Sequence, residues 1–139
     1  MKHRKALIAD ESEINAYIAA DDDWEKRLAG FSFLDTASVK EYYLGDASFF
    51  IQVLHEYVKS DILVRLERQF FDDRSEDVRS VIRRIGEEAK LVGAAGLADK
   101  AWDAEQLFFE GDEEEYAGSL KKLLAAYKRI VKRIEINLS

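Results

Sequence analysis

The sequence predicts an all-α protein, an antiparallel up-down four-helix bundle with an extra helical segment at its N-terminus. Three observations carry this. Apolar residues recur at three- and four-residue spacing through the long segments after Asp46. The 139 residues contain no proline, against an average usage of about 5%, and proline breaks helix interiors. Gly or Asp stands at the breaks in the periodicity, where helices stop and start. The hydrophobic fraction of 47% suits a packed core. Residues 1–30 read as a helical extension and 31–139 as the bundle, one domain.

The elements follow in order. Lys5 to Ile18, KALIADESEINAYI, reads as a helix capped by Asp10 or Ser12, with Ile14, Tyr17 and Ile18 inward, and a further helical turn covers Asp23 to Leu28. The opening is also similar to the first strand and acidic turn of a receiver domain. No further receiver elements follow, and a lone strand is unstable in water. After a break from Gly30 to Phe33, Asp35 or Thr36 caps a short helix carrying Val39, Tyr42 and Tyr43, ended by Gly45. Asp46 caps a single long helix to Phe70, with a stripe of Phe49, Phe50, Val53, Leu54, Tyr57, Val58, Ile62, Leu66 and Phe70. Asp72 and Asp73 make the next turn.

Ser75 then caps a helix whose inward face is Val78, Val81, Ile82, Ile85, Ala89 and Val92. Gly93 stops it, and Leu97, Ala101, Ala104 and Leu107 begin the next stripe. The last helix starts after Gly111. Acids from Asp112 to Glu115 and bases at Lys128, Arg129, Lys132 and Arg133 are expected to complement its dipole. Tyr116, Leu120, Leu123, Leu124, Tyr127, Ile130, Val131 and Ile134 form its inward face. A joint core of Phe50, Leu54, Ile82, Ile85, Ala89, Leu97, Leu124 and Tyr127 is expected.

Composition bounds the function. The net charge of −7 argues against nucleic-acid binding, which needs a basic surface. No cysteine is present, so disulfide and thiol chemistry are out, in keeping with a cytoplasmic location. No apolar run approaches the roughly 20 residues of a membrane span, and ALIA after Lys5 is too short for a signal-peptide core. Asp21-Asp22-Asp23 lacks the ligand spacing and glycine of a calcium loop. No phosphate loop, zinc spacing or hydrolase triad occurs, so neither metal nor cofactor is expected. Trp24 and Trp102 read as packing residues.

The order I-x-x-I-x-x-x-A-x-x-V-G-A-x-x-L from Ile82 to Leu97, then K-A-x-x-x-E from Lys100 to Glu105, resembles the histidine phosphotransfer (HPt) domain family of bacterial phosphorelays. The segment FLDTASVKEYYLGDASFF resembles that family's opening helix, G-D turn and aromatic-led long helix. The resemblance covers about residues 33–134 and implies the same bundle. It also implies an exposed phosphorylatable histidine, followed three and four positions on by Lys and a small residue. Aligned on Gly93, Ala94 and Leu97, these positions hold Arg83, Gly86 and Glu87. A guanidinium stays protonated and is no nucleophile at neutral pH, and Glu87 adds the wrong charge for an incoming phosphoryl group.

The expectation is therefore a cytoplasmic HPt-like interaction module that transfers no phosphate and is not an enzyme. Its partner would be the receiver domain of a response regulator or a histidine kinase. Arg79, Arg83, Gly86, Glu87 and Lys90 would form the docking face, turned to solvent or to the outer edge of the long helix. The plainer reading of the arginines is a charged row with i,i+4 partners, Arg83 to Glu87 and Arg84 to Glu88. Of the two histidines, His3 reads as a solvated terminal residue and His55 as an ordinary helical surface residue, with a relocated phosphosite as its sharper alternative. The alternative for the whole chain is a structural bundle acting as scaffold or dimerisation domain. A sizeable exposed apolar patch around Arg83 would favour docking; a uniformly charged surface there, with the patch elsewhere, would favour the scaffold.

Overall fold

A computed structural model describes residues 23–69 and 75–139. Residues 23–27 are helical and lead through a 3-10 turn, Ala29–Phe31, to helix α1, Thr36–Lys40. Helices α2 (Ala47–Val58), α3 (Ile62–Gln69), α4 (Glu76–Leu91), α5 (Ala95–Glu110) and α6 (Glu113–Leu138) follow. The protein is all-α, with no strand among the described residues. None of its described helices is long and apolar enough to cross a membrane. The expected helix at Lys5–Ile18, the Asp72–Asp73 turn and the residue Phe70 lie outside the described residues.

Side-chain caps set the starts. The carboxylates of Asp35, Asp46 and Asp112 and the Ser75 hydroxyl accept from the N–H of Ser38, Phe49, Glu115 and Val78 at 3.2, 3.1, 2.8 and 3.3 Å. Each occupies a first-turn donor that the helix cannot pair internally. The stops of α1 and α4 use left-handed residues. At the end of α4, the Ala94 N–H donates to Ala89 O and the Gly93 N–H to Lys90 O, the paired bonds of a Schellman ending. Gly93 has φ +76° there. At the end of α1, Gly45 N–H donates to Lys40 O and Leu44 N–H to Glu41 O. The left-handed position after the cap is thus Leu44 itself, φ 55°, with Gly45 also positive at 70°.

The described part of the extension shares the core. Trp24 and Leu28 are buried, and the Trp24 and Phe50 ring centroids are 5.3 Å apart. α4 packs on α5, α5 on α6, α6 on both α2 and α3, and α3 on α4. The faces of α4 and α5 turn inward as expected, apart from Leu107, which is only partly buried.

Several expectations are corrected. The long helix is broken at Lys59–Asp61 into α2 and α3. There the Ser60 hydroxyl accepts from the Ile62 N–H at 3.3 Å, so the side chain competes with the helical ladder and restarts it. Leu124 is only partly buried, and Leu123 takes the central place on α6. Ile130 and Val131 are likewise partly buried. Tyr42 and Phe49 point outward, the buried side of their helical turns being held by Tyr43 and Phe50. α6 runs on to Leu138 with no base in its last turn. Its acids at Glu113–Glu115 complement the dipole, but the four bases lie too far from its end to do so.

Candidate functional site

The face singled out from the sequence lies on the edge of α4 that borders α5. It faces a groove between those two helices, not the edge of α2 or α3. The cause is Gly86. A Cβ built there would stand 3.1 Å from Ala101 Cβ, so the missing side chain lets α4 and α5 approach closely. Gly86 is therefore half-buried against α5.

Arg83, Gly86, Glu87 and Lys90 on α4 and Asp99, Trp102 and Glu105 on α5 line a groove of about 310 Å3. Arg83 is well exposed, its side chain at 61%, with its Nε 3.5 Å from Glu87 Oε1. Arg79 lies one turn toward the start of α4. Its Nε donates to Glu76 Oε2 at 2.7 Å, its Nη1 stands 3.6 Å from Glu105 Oε2, and its guanidinium sits 5.4 Å from the Phe109 ring centre. Arg84, on the neighbouring face, donates from Nε to Glu88 Oε2 at 2.8 Å. The hydrogen bond to Glu76 holds the Arg79 guanidinium above its ordinary pKa, and the one to Glu88 does the same for Arg84. Both i,i+4 pairs read from the sequence are thus formed, at Arg83–Glu87 and Arg84–Glu88.

Trp102 is the residue the sequence reading placed wrongly. It is 61% exposed and flanks Arg83 across the groove. The signal was present: Leu97, Ala101 and Ala104 define the inward face of α5, and Trp102 falls outside that arc. Trp24, by contrast, is a core residue as read. His55 is exposed on α2 and does not line the groove. Among the described residues no three His, Cys, Asp or Glu groups are placed to hold a metal ion. His3 lies outside the described residues.

Chemically, the groove combines fixed cations, fixed carboxylates and an indole face. Such a surface binds by ion pairing, stacking and desolvation of one aromatic anchor. Arg83 can pair with an acid but not attack a phosphoryl group. The chain matches no protein-family model, no curated protein and no solved structure.

Proposed function

We propose that the protein is an HPt-like interaction module of a bacterial two-component phosphorelay that carries no phosphate itself. In this reading α2 with α3 forms one bent member of an up-down four-helix bundle, and α4, α5 and α6 form the others. The module acts in the cytoplasm by binding a receiver domain or a histidine kinase at the α4–α5 groove. It is a regulator and not an enzyme. The observation that carries the reading is Arg83, exposed on α4 at the position where the resemblance expects a nucleophilic histidine, with Trp102 beside it across the groove.

The experiment titrates the full chain with a receiver domain encoded beside it. Saturable binding is expected, weakened about tenfold by Trp102→Ala and by Arg83→Glu, the size of a single interface anchor. Binding unaffected by both variants would remove the groove from the account. A second reading, a scaffold or dimerisation bundle, is favoured by a separate apolar patch at Tyr42, Leu44 and Phe49, where Leu44 is 89% exposed. Sedimentation of the chain alone tests it. A dimer dissociated by Leu44→Asp supports that reading, and a monomer counts against it.

A further inference from the structure

We propose that the end of the bundle formed by the α1–α2 turn and the close of α6 docks on an anionic membrane surface. This surface uses none of the residues lining the α4–α5 groove and does not rest on the phosphorelay reading. It also gives the Tyr42–Leu44–Phe49 patch a different occupant from the scaffold reading. Local contacts bring the two elements to one end. The Tyr43 hydroxyl donates to the Leu91 carbonyl at 2.7 Å, which holds the α1–α2 turn on the last residue of α4. The Asp35 N–H donates to the Gly93 carbonyl at 2.7 Å. Two residues earlier, the Arg133 guanidinium lies over the Phe33 ring, 4.1 Å from its centre. A Cβ built on Gly30 would stand 3.0 Å from Asn137 Oδ1. The stretch from Gly30 to Asp35 thus ties the close of α6 to the close of α4, beside the α1–α2 turn.

That end carries an apolar outcrop. The Tyr42 and Phe49 rings meet Tyr43 edge-on, at 5.0 and 5.6 Å between centroids, and are themselves exposed. Leu44 between them is unfavourable twice over. Its backbone is left-handed at φ 55°, where the Cβ crowds the following carbonyl. Its side chain, 89% exposed, lies in water. No contact within the described residues offsets either cost, so the gain that keeps a leucine here comes from outside the chain. Ile136, in the last turn of α6, is exposed as well.

Charge selects the surface and orients the molecule on it. From Tyr116 to Ile134, α6 holds six of the chain's 21 Lys and Arg and none of its 28 Asp and Glu. Helical phase turns Lys121, Lys128, Arg129 and Lys132 away from the core, and all four are exposed. Lys128 pairs with Glu67 at 3.4 Å, whereas Lys121, Arg129 and Lys132 have no ion pair among the described residues. The opposite end is acidic: Glu76 and Asp77 open α4, Glu110 closes α5 and Glu113–Glu115 open α6. An anionic surface attracts the first end and repels the second, which points Leu44 at the surface. Glu25, Glu41 and Glu135 also stand at the docking end and are exposed, so charge steers while the apolar residues anchor. A bilayer fits this mixture better than a second copy does. A two-fold contact through this end would turn Arg129 and Lys132 toward their own counterparts, whereas the headgroup layer accepts Tyr, Lys and Arg around an inserted apolar tip.

The test sediments the full chain with vesicles of phosphatidylcholine containing about 30% phosphatidylglycerol, at about 0.1 M salt. Saturable binding is expected, at least about tenfold weaker on phosphatidylcholine alone. Leu44→Asn removes the anchor and puts in a residue that accepts left-handed backbone, so the variant is expected to fold and to bind about tenfold more weakly. Arg129→Gln with Lys132→Gln should weaken binding about 25-fold, about fivefold for each base. Val64→Ser, at an exposed apolar position on α3, should leave binding unchanged. No vesicle binding would overturn the proposal. So would binding that is indifferent to Leu44→Asn or to the loss of both bases, or that is weakened equally by Val64→Ser. A dimer that Leu44→Asn dissociates, in a chain that ignores vesicles, would assign the patch to a second copy instead.

Discussion

Replacing Gly93 by Ala tests the junction between α4, α5 and the start of α1. Gly93 sits at φ +76°, and a residue with a Cβ pays roughly 1–2 kcal/mol to remain there. The added Cβ would also stand 2.7 Å from the Asp35 carbonyl oxygen and 3.0 Å from its carbon. Those atoms are backbone and cannot rotate away. Relief requires moving the chain at Asp35, whose N–H donates to the Gly93 carbonyl at 2.7 Å, a bond with a net contribution of about 1 kcal/mol. The sum is about 2–3 kcal/mol, or a fall in Tm of about 7–10 °C for a chain of this size. Three other glycines separate the causes. Gly45 has φ +70° with nothing within 4 Å, so Gly45→Ala should cost only the conformational part, about 1–2 kcal/mol. Gly96 and Gly118 lie in helices with nothing within 4 Å, so Ala at either should stabilise by about 0.5–1 kcal/mol. Urea unfolding followed by far-UV circular dichroism gives all four values. Equal losses at positions 45 and 93 would show that the Asp35 contact contributes nothing.

Other expected outcomes come from single side chains. Ile85→Asp places an unpaired charge at a site only 1% exposed and should cost about 3 kcal/mol or more; an unchanged melting temperature would show the face of α4 to be misassigned. Leu44→Gly relieves a left-handed leucine whose side chain is solvated and should stabilise by about 0.5–1 kcal/mol in the same urea assay. Tyr57→Phe should be neutral or stabilising near neutral pH, because the lost hydroxyl is unpaired. The folded state holds the Tyr57 proton more tightly than the unfolded chain. Its contribution is therefore constant below about pH 10 and falls by up to about 1.4 kcal/mol per pH unit above it. Stability measured against pH should then drop less steeply above pH 10 in Tyr57→Phe than in the wild type.

Much of the fold is legible because apolar periodicity reports burial directly. Val78, Val81, Ile82, Ile85 and Ala89 read as one face of α4 and are one buried face. Caps at Asp35, Asp46 and Ser75 are equally readable, since each needs only a local side-chain acceptor. The α2–α3 break escaped because Leu54, Ile62 and Leu66 are all buried, so the apolar stripe runs across it. Only Ser60 marks it, and Ser is tolerated inside helices as well. Leu123 and Leu124 are adjacent on one apolar arc, and only the packing of α6 against α2, α3 and α5 decides which is central. Gly86 was placed toward solvent or the outer edge of the long helix by helical phase alone. Its half-burial depends on Ala101 in another helix, which no spacing within α4 reveals.

The central claim is a module that docks without accepting phosphate, and one mixed measurement tests it most directly. The wild-type protein is incubated with a phosphorylated receiver domain encoded beside it, and both complex formation and label are followed. The account predicts a saturable complex, lost in part on Trp102→Ala, with no acid-labile phosphate on the protein. Label appearing on the wild type, at His55 for example, would contradict it, and so would a phosphorylated receiver that never binds.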